Sequence, residues 1–285
     1  MSEVPSRGWP TLLFSFTAVI GIATVAQVRA TEPARELRVC ADPNNLPFSN
    51  ERREGFENRI AELIARDLGA RLSHVWWAQR RGFIRNTLGA GECDVVFGVP
   101  GHSERALPTN PYFRSSYVFV ARDTFAEPIA SLDDPRLRTL RVGVHLIGDD
   151  YTNTPPAHAL ARRGIIRNVV GFSIYGDYSE PNPPARIIEA VARGQIDVAI
   201  VWGPFAGYFA PRQKQRLAIT PMTEASDGPA LPFRFDVSLG VGKGKEALRN
   251  ELNDVLERRA PEIRAVLEQY GVPLLPPGPV QRAGR

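Results

Sequence analysis

A six-residue passage occurs twice in this chain of 285 residues. Gly91-Glu92-Cys93-Asp94-Val95-Val96 matches Gly194-Gln195-Ile196-Asp197-Val198-Ala199 in residue type and position. Each copy follows a helical pattern, opens a strand, and leads to a glycine and a proline (Gly98 and Pro100; Gly203 and Pro204). A repeated helix-to-strand junction points to two units of one construction, so the chain should form two similar α/β lobes. In such proteins a ligand lies between the lobes, at the carboxyl ends of the strands.

The pattern around the two junctions agrees. Residues 37–41 read as a short buried strand, followed by a Pro- and Asn-rich loop, 42–54. Residues 56–68 form an amphipathic helix, with Ile60, Leu63, Ile64 and Leu68 at helical spacing and Gly69 as its stop. A strand at 72–76, a short helix at 82–90 and strands at 94–99 and 117–122 follow. After an Asp/Pro segment the pattern restarts: strand 140–144, helix 158–163, strand 168–175, helix 185–192, strand 197–202. A strand at 237–241 and helices at 246–258 and 262–270 end it. Strands alternating with helices predict mostly parallel sheets flanked by helices.

Hydrophobic residues make up 43% and charged residues 23%, which excludes a disordered tail protein. The formal net charge is +4, and Lys214, Lys243 and Lys245 are the only lysines. Acids and bases are interspersed, with no basic run of the kind that marks a nucleic-acid footprint. Arg7 precedes an apolar stretch, 12–26, and Val28-Arg29-Ala30 has the form of a cleavage site. The leader reads as a signal peptide over 1–30, with a cut after Ala26 as the alternative. Its apolar core of about 15 residues is short of the ~20 a membrane span needs, so the mature chain is expected to be exported and not membrane-embedded. Cys40 and Cys93 are the two cysteines. Export permits a disulfide contributing roughly 4 kcal/mol. The alternative is two buried thiols, which the match of Cys93 with Ile196 favours. Adjacent parallel strands would also hold the sulfurs apart. Two cysteines and four scattered histidines do not form a metal site.

The early strand, then Leu46-Pro47-Phe48, Gly55-Phe56-Glu57 and the Gly-x-x-Asp-Val passages resemble the periplasmic solute-binding proteins that serve amino-acid transporters. The resemblance covers nearly all of the mature chain. It implies a type II periplasmic binding protein-like α/β fold of two lobes joined by two hinge crossings, one at 117–122 and one near Thr220. The first lobe would span 31–121, the second 122–218, a return to the first 219–275, and a flexible tail 276–285. Four longer passages narrow it: Cys40-Ala-Asp-Pro-Asn-Asn-Leu-Pro-Phe-Ser49, Trp76-Trp-Ala-Gln-Arg-Arg-Gly-Phe83, Thr154-Pro-Pro-Ala-His158 and Val201-Trp-Gly-Pro-Phe-Ala-Gly-Tyr208. Together they are similar to the J proteins of bacterial methanol-oxidation systems. That resemblance implies a periplasmic protein, monomeric alone, which assists a quinoprotein methanol dehydrogenase and its cytochrome c. PQQ would belong to the dehydrogenase, and this chain would carry no cofactor of its own.

The amino-acid receptors hold a ligand with an arginine, a helix N-terminus and an acid. Arg105 stands at the arginine position, where its planar guanidinium suits a carboxylate. The helix start carries Gly148-Asp149-Asp150, and Asp149 would repel an incoming carboxylate. The acid falls at Trp202, which cannot replace a carboxylate as a salt-bridge partner. An ordinary amino acid is therefore an unsuitable ligand. The expected cleft is polar, aromatic and basic instead: Asn44, Asn45, Phe48, Trp77, Arg80, Arg81, Trp202, Phe205 and Tyr208 join Arg105 and Asp149. Aromatic and arginine side chains are the usual anchors of protein–protein contacts, so an open cleft of this kind could grip a partner. A transporter receptor for a small organic anion, built on Arg105, is the alternative. No catalytic fingerprint is present; His145 with Asp149 and Asp150 is the nearest thing to an acid–base set, and adjacent acids at a helix start are ordinary caps.

Overall fold

The structure is a computed structural model and describes Met1 and residues 35–101, 103–147, 153–174 and 178–276. Residues 2–34 with the expected signal peptide, Asp149, and 277–285 of the expected tail lie outside the described residues. All the elements lie within Ala34–Arg285, one compact unit.

In chain order come β1 (Glu36–Ala41), the two-residue strands β2 (Asn44–Asn45) and β3 (Ser49–Asn50), α1 (Phe56–Asp67), β4 (Arg71–Trp76), α2 (Phe83–Asn86), β5 (Val95–Pro100) and the long β6 (Leu107–Arg122). Then follow β7 (Val142–Leu146), α3 (Pro155–Arg162), β8 (Val169–Ser173), α4 (Arg186–Ala192), β9 (Val198–Trp202), α5 (Gly203–Phe209), β10 (Leu217–Pro221), β11 (Arg234–Val241), α6 (Glu246–Arg258) and α7 (Ala260–Gln269).

Two mostly parallel sheets share β6. In the first lobe the order is β4-β1-β5-β11-β6, and only β11 runs against the rest. In the second, β6 lies between β10 and β9, with β7 and β8 beyond, and β6 is the opposed strand. Residues 107–116 of β6 pair with β11, and 117–122 pair with β9 and β10. Residues 117–122, read as a strand and expected as a hinge crossing, are the part of β6 that pairs in the second lobe's sheet.

The first half of β6 has no counterpart in the sequence reading because Pro108 and Pro111 interrupt it. Proline cannot donate to a ladder and sits at bulges or edges. Here Pro111 faces Ser238 and Pro108 faces Gly240, where the β11 register shifts. The expected helix 82–90 is broken into α2 and a tight turn at Leu88–Ala90. Helix α5 and strand β10 are additional to the reading.

The repeated passage does the same work in both lobes. Arg38 on β1 donates its backbone N–H to Asp94 Oδ2 (2.9 Å), its guanidinium to Asp94 Oδ1 (2.8 Å) and to the Gly91 carbonyl (3.0 Å). Arg141, just before β7, bonds Asp197 Oδ2 and Oδ1 (2.8 Å each) and the Gly194 carbonyl (2.8 Å) in the same way. Each aspartate therefore ties its strand to the neighbouring parallel one. Packing completes the lobes. Phe56, Ile60 and Ile64 of α1 recur every four residues, face β1 and β5, and are almost fully buried. Burial of such side chains stabilises by about 1.5–3 kcal/mol each.

Cys40 and Cys93 form a disulfide, with a Cα–Cα separation of 5.6 Å. Strand register does not keep them apart, because Cys40 pairs with Val96 while Cys93 precedes β5. The turn into the strand, not the strand spacing, positions Cys93.

Candidate functional site

Residues 42–50, at the carboxyl end of β1, form a strap. Its Asn44–Asn50 and Asn45–Ser49 pairs make a minimal hairpin. The Pro47 and Phe48 carbonyls accept the N–H groups of Phe56 and Glu57 (2.8 and 2.9 Å). Two donors of the first turn of α1, which have no partner within the helix, are thereby satisfied. Anchored on α1, the strap reaches the second lobe. Leu46 is buried among Val118, Ile187 and Phe205 of that lobe. The Phe48 ring lies between Phe56 (5.0 Å) and Phe205 (5.2 Å).

A polar latch holds this contact. Asp42, 3% exposed, accepts the N–H groups of Asn44 (2.8 Å) and Gln79 (2.7 Å) and the hydroxyl of Tyr178 from the second lobe (2.8 Å). Burial pushes the Tyr178 hydroxyl well above its ordinary pKa, and its bond to Asp42 adds to this. The Arg80 guanidinium lies 5.1 Å from the Tyr178 ring centre. Asn44 donates to the Glu180 carbonyl (2.7 Å) and accepts from Asn182 N (3.2 Å). On another side Tyr208 stacks on Tyr270 of the first lobe at 5.7 Å. The expected open cleft is therefore a closed one at these positions, filled by the chain's own side chains. An apolar loop tethered to a helix and facing an apolar wall gains more by burying itself than by staying hydrated.

The expected site residues divide accordingly. Asn44, Phe48, Phe205, Arg80 and Tyr208 meet across the lobes. Asn45 is buried and donates to Gln79 Oε1 (3.1 Å), and its own Oδ1 has no partner among the described residues. Trp202 is wall rather than rim: it packs edge-on against Tyr117 (5.5 Å) and Phe235 (5.6 Å), where the core clusters meet. Trp77, Arg81 and Arg105 are exposed, and Arg105 bonds Ser103 through its backbone N–H. His145 is buried against Phe205 (5.2 Å), and neither ring nitrogen has a partner of good hydrogen-bond geometry among the described residues. Burial pulls its pKa down to about 4, and the Pro184 backbone pushes it the other way. A neutral, buried imidazole of this kind is packing.

Four participants were not among the expected site residues: Asp42, Leu46, Tyr178 and Glu57. Asp42 had a signal, since it directly follows a strand at its carboxyl end. Tyr178 had none, lying 136 residues from its partner. Glu57 sits beneath the strap in the first turn of α1, and Tyr112 donates to its Oε1 at 3.4 Å. Burial raises its pKa to about 8; the Tyr112 bond lowers it and the charge of Asp42 raises it further.

No protein-family model matches the chain. It is 33% identical over 267 residues to Protein MoxJ of Methylorubrum extorquens, covering 89% of this chain and 87% of that one. It is 30% identical over 278 residues to Protein MoxJ of Paracoccus denitrificans, covering 93% and 99%. The crystal structure of the periplasmic binding protein XoxJ from Methylobacterium extorquens aligns with a TM-score of 0.69 at 36% identity, over 85% of this chain and all of that one. With its two lobes, shared β6 and strap, the chain belongs to the family of J proteins of methanol-oxidation systems, periplasmic binding proteins in fold.

Proposed function

We propose that this chain acts in the periplasm by binding a PQQ-dependent methanol dehydrogenase and helping it mature or become active, rather than by carrying a solute. The observation that supports this reading most directly is the filled cleft. Leu46, Phe48 and Phe205 occupy the space between the lobes, and Asp42 and Tyr178 latch it. A solute would have to displace well-packed apolar side chains and a hydrogen-bonded carboxylate before making any contact of its own. Two further features agree. The position of the ammonium-binding acid is Trp202, committed to Tyr117 and Phe235. Trp77, Arg80, Arg81 and Arg105 stand exposed, and these are residue types enriched at protein interfaces. PQQ belongs to the partner in this reading, and a cytochrome c is a second candidate partner.

Size-exclusion chromatography of the chain from Thr31 onward, mixed with the same organism's methanol dehydrogenase in PQQ-free and PQQ-loaded forms, tests it. Co-elution, stronger with the PQQ-free form, is the expected result. Independent elution of both forms, even at tens of micromolar, defeats the reading.

A further inference from the structure

Strand β8 is the last strand of the second lobe. It pairs with β7 on one side and, among the described residues, with no strand on the other. Soluble proteins protect such edges with charge, proline or a bulge. β8 reads Val-Val-Gly-Phe-Ser, and its register with β7 is unbroken, so none of these devices is present. The other outer strands differ: β4 opens on Arg71 and carries His74, and β10 ends on Pro221.

The surface beside β8 is apolar and basic. Ile166 is 63% exposed and Val170 39%, and both belong to this edge. Next to them is a hollow of about 370 Å³ lined by Arg138, Arg167, Asn168 and the turn Gly164–Ile166. The neighbouring arginines are already neutralised: Arg136 by Asp134, Arg141 by Asp197, Arg162 and Arg163 by Asp227. Arg138 and Arg167 pair with no carboxylate among the described residues. Arg138 donates to the Arg163 carbonyl (3.1 Å).

These features specify the occupant. An unprotected edge accepts an extended backbone, exposed Ile166 and Val170 accept apolar side chains, and two guanidiniums around a hollow accept a carboxylate. A second copy of this chain, paired through β8 about a two-fold axis, is the competing occupant, and sedimentation tells the two apart. We infer that β8 and the Arg138–Arg167 hollow form a docking site for an extended, acid-bearing segment of a partner protein. That segment adds a strand to the second lobe and places an Asp or Glu between the two guanidiniums. The inference rests on the reading that the partner is a protein, and it names the surface that meets it.

The test is amide hydrogen exchange on the chain from Thr31 onward, with and without the methanol dehydrogenase, in wild type and in the double variant Arg138→Glu/Arg167→Glu. Both arginines are exposed, and the unfolding temperature of the variant checks that it folds. Slowed exchange over Val169–Ser173 in wild type is expected, with binding at least roughly tenfold weaker in the variant, equivalent to about 1.4 kcal/mol. Undiminished binding by the variant with unchanged β8 exchange overturns the inference and leaves the proposed partner standing. Should the dehydrogenase not bind at all, that reading fails, and the acid-flanked peptide Asp-Val-Thr-Val-Thr-Asp serves as the probe. Protection of β8 by the peptide in wild type alone supports the site; no protection at millimolar peptide overturns it. Concentration-dependent dimerisation in sedimentation, abolished by Val170→Lys, assigns the edge to a second copy and also overturns it.

Discussion

Buried ionisable side chains give this protein two opposed pH dependences. Glu57 ordinarily titrates near 4.5 and, buried in the fold, near 8. Its folded pKa is the higher one, so its contribution to stability is complete below 4.5 and is lost as pH rises through 8. His74 and His145 behave oppositely: burial lowers both from 6.5 to about 4. Their contribution is complete above 6.5 and is lost as pH falls toward 4. Between pH 6.5 and 8 the contributions of His74 and His145 are constant and that of Glu57 changes. Glu57→Gln should therefore flatten the fall of the unfolding temperature across that window, as read by scanning calorimetry at its two ends. A wild-type profile that is already flat there would contradict a buried, neutral Glu57. The residue scale also explains the repeated passage. Asp94 and Asp197 were visible in the sequence as a pattern, but not Arg38 and Arg141, which lie more than fifty residues from them.

At the scale of elements, the strap decides what the cleft can do. It is short, is held at both ends by β1 and α1, and reaches the second lobe through Leu46, Phe48 and the Asp42–Tyr178 hydrogen bond. A hydrogen bond to a charged group is worth about 1.5–3 kcal/mol net. Tyr178→Phe removes it while Asp42 keeps the Gln79 and Asn44 N–H groups, so the fold should survive. The expected outcome is a loss of that size in urea unfolding, with greater binding of an apolar fluorescent dye as Leu46 and Phe48 become accessible. Unchanged dye binding would mean that apolar packing alone holds the strap. Helices and strands with clear periodicity, such as α1 and α6, were legible because one face is buried along their whole length. The proline-interrupted half of β6 was not, since its bulges are set by register with β11.

For the whole molecule, the second inter-lobe contact depends on two glycines. A Cβ on Gly207 of α5 would stand 1.8 Å from the Gly271 carbonyl oxygen, and Gly271, at φ +70°, adopts the left-handed backbone that follows α7. The neighbouring Tyr208–Tyr270 stack uses this close approach. Gly207→Ala should force α5 and the end of α7 apart, lowering the unfolding temperature and enlarging the radius of gyration in small-angle scattering. A variant with wild-type values for both would show that the lobes close without this contact.

The local chain determined the α/β alternation, the two-unit construction and the family. These reside in periodicity, capping and contiguous passages, which act over a few turns of helix or a single strand. Tertiary structure alone decided that the cleft is filled, that Cys40 meets Cys93, that Trp202 is wall rather than rim, and that β8 pairs on one side only among the described residues. Each of these depends on segments far apart in sequence coming within a few ångströms, and on which face of a strand a neighbouring lobe covers. Composition and spacing carry no record of either.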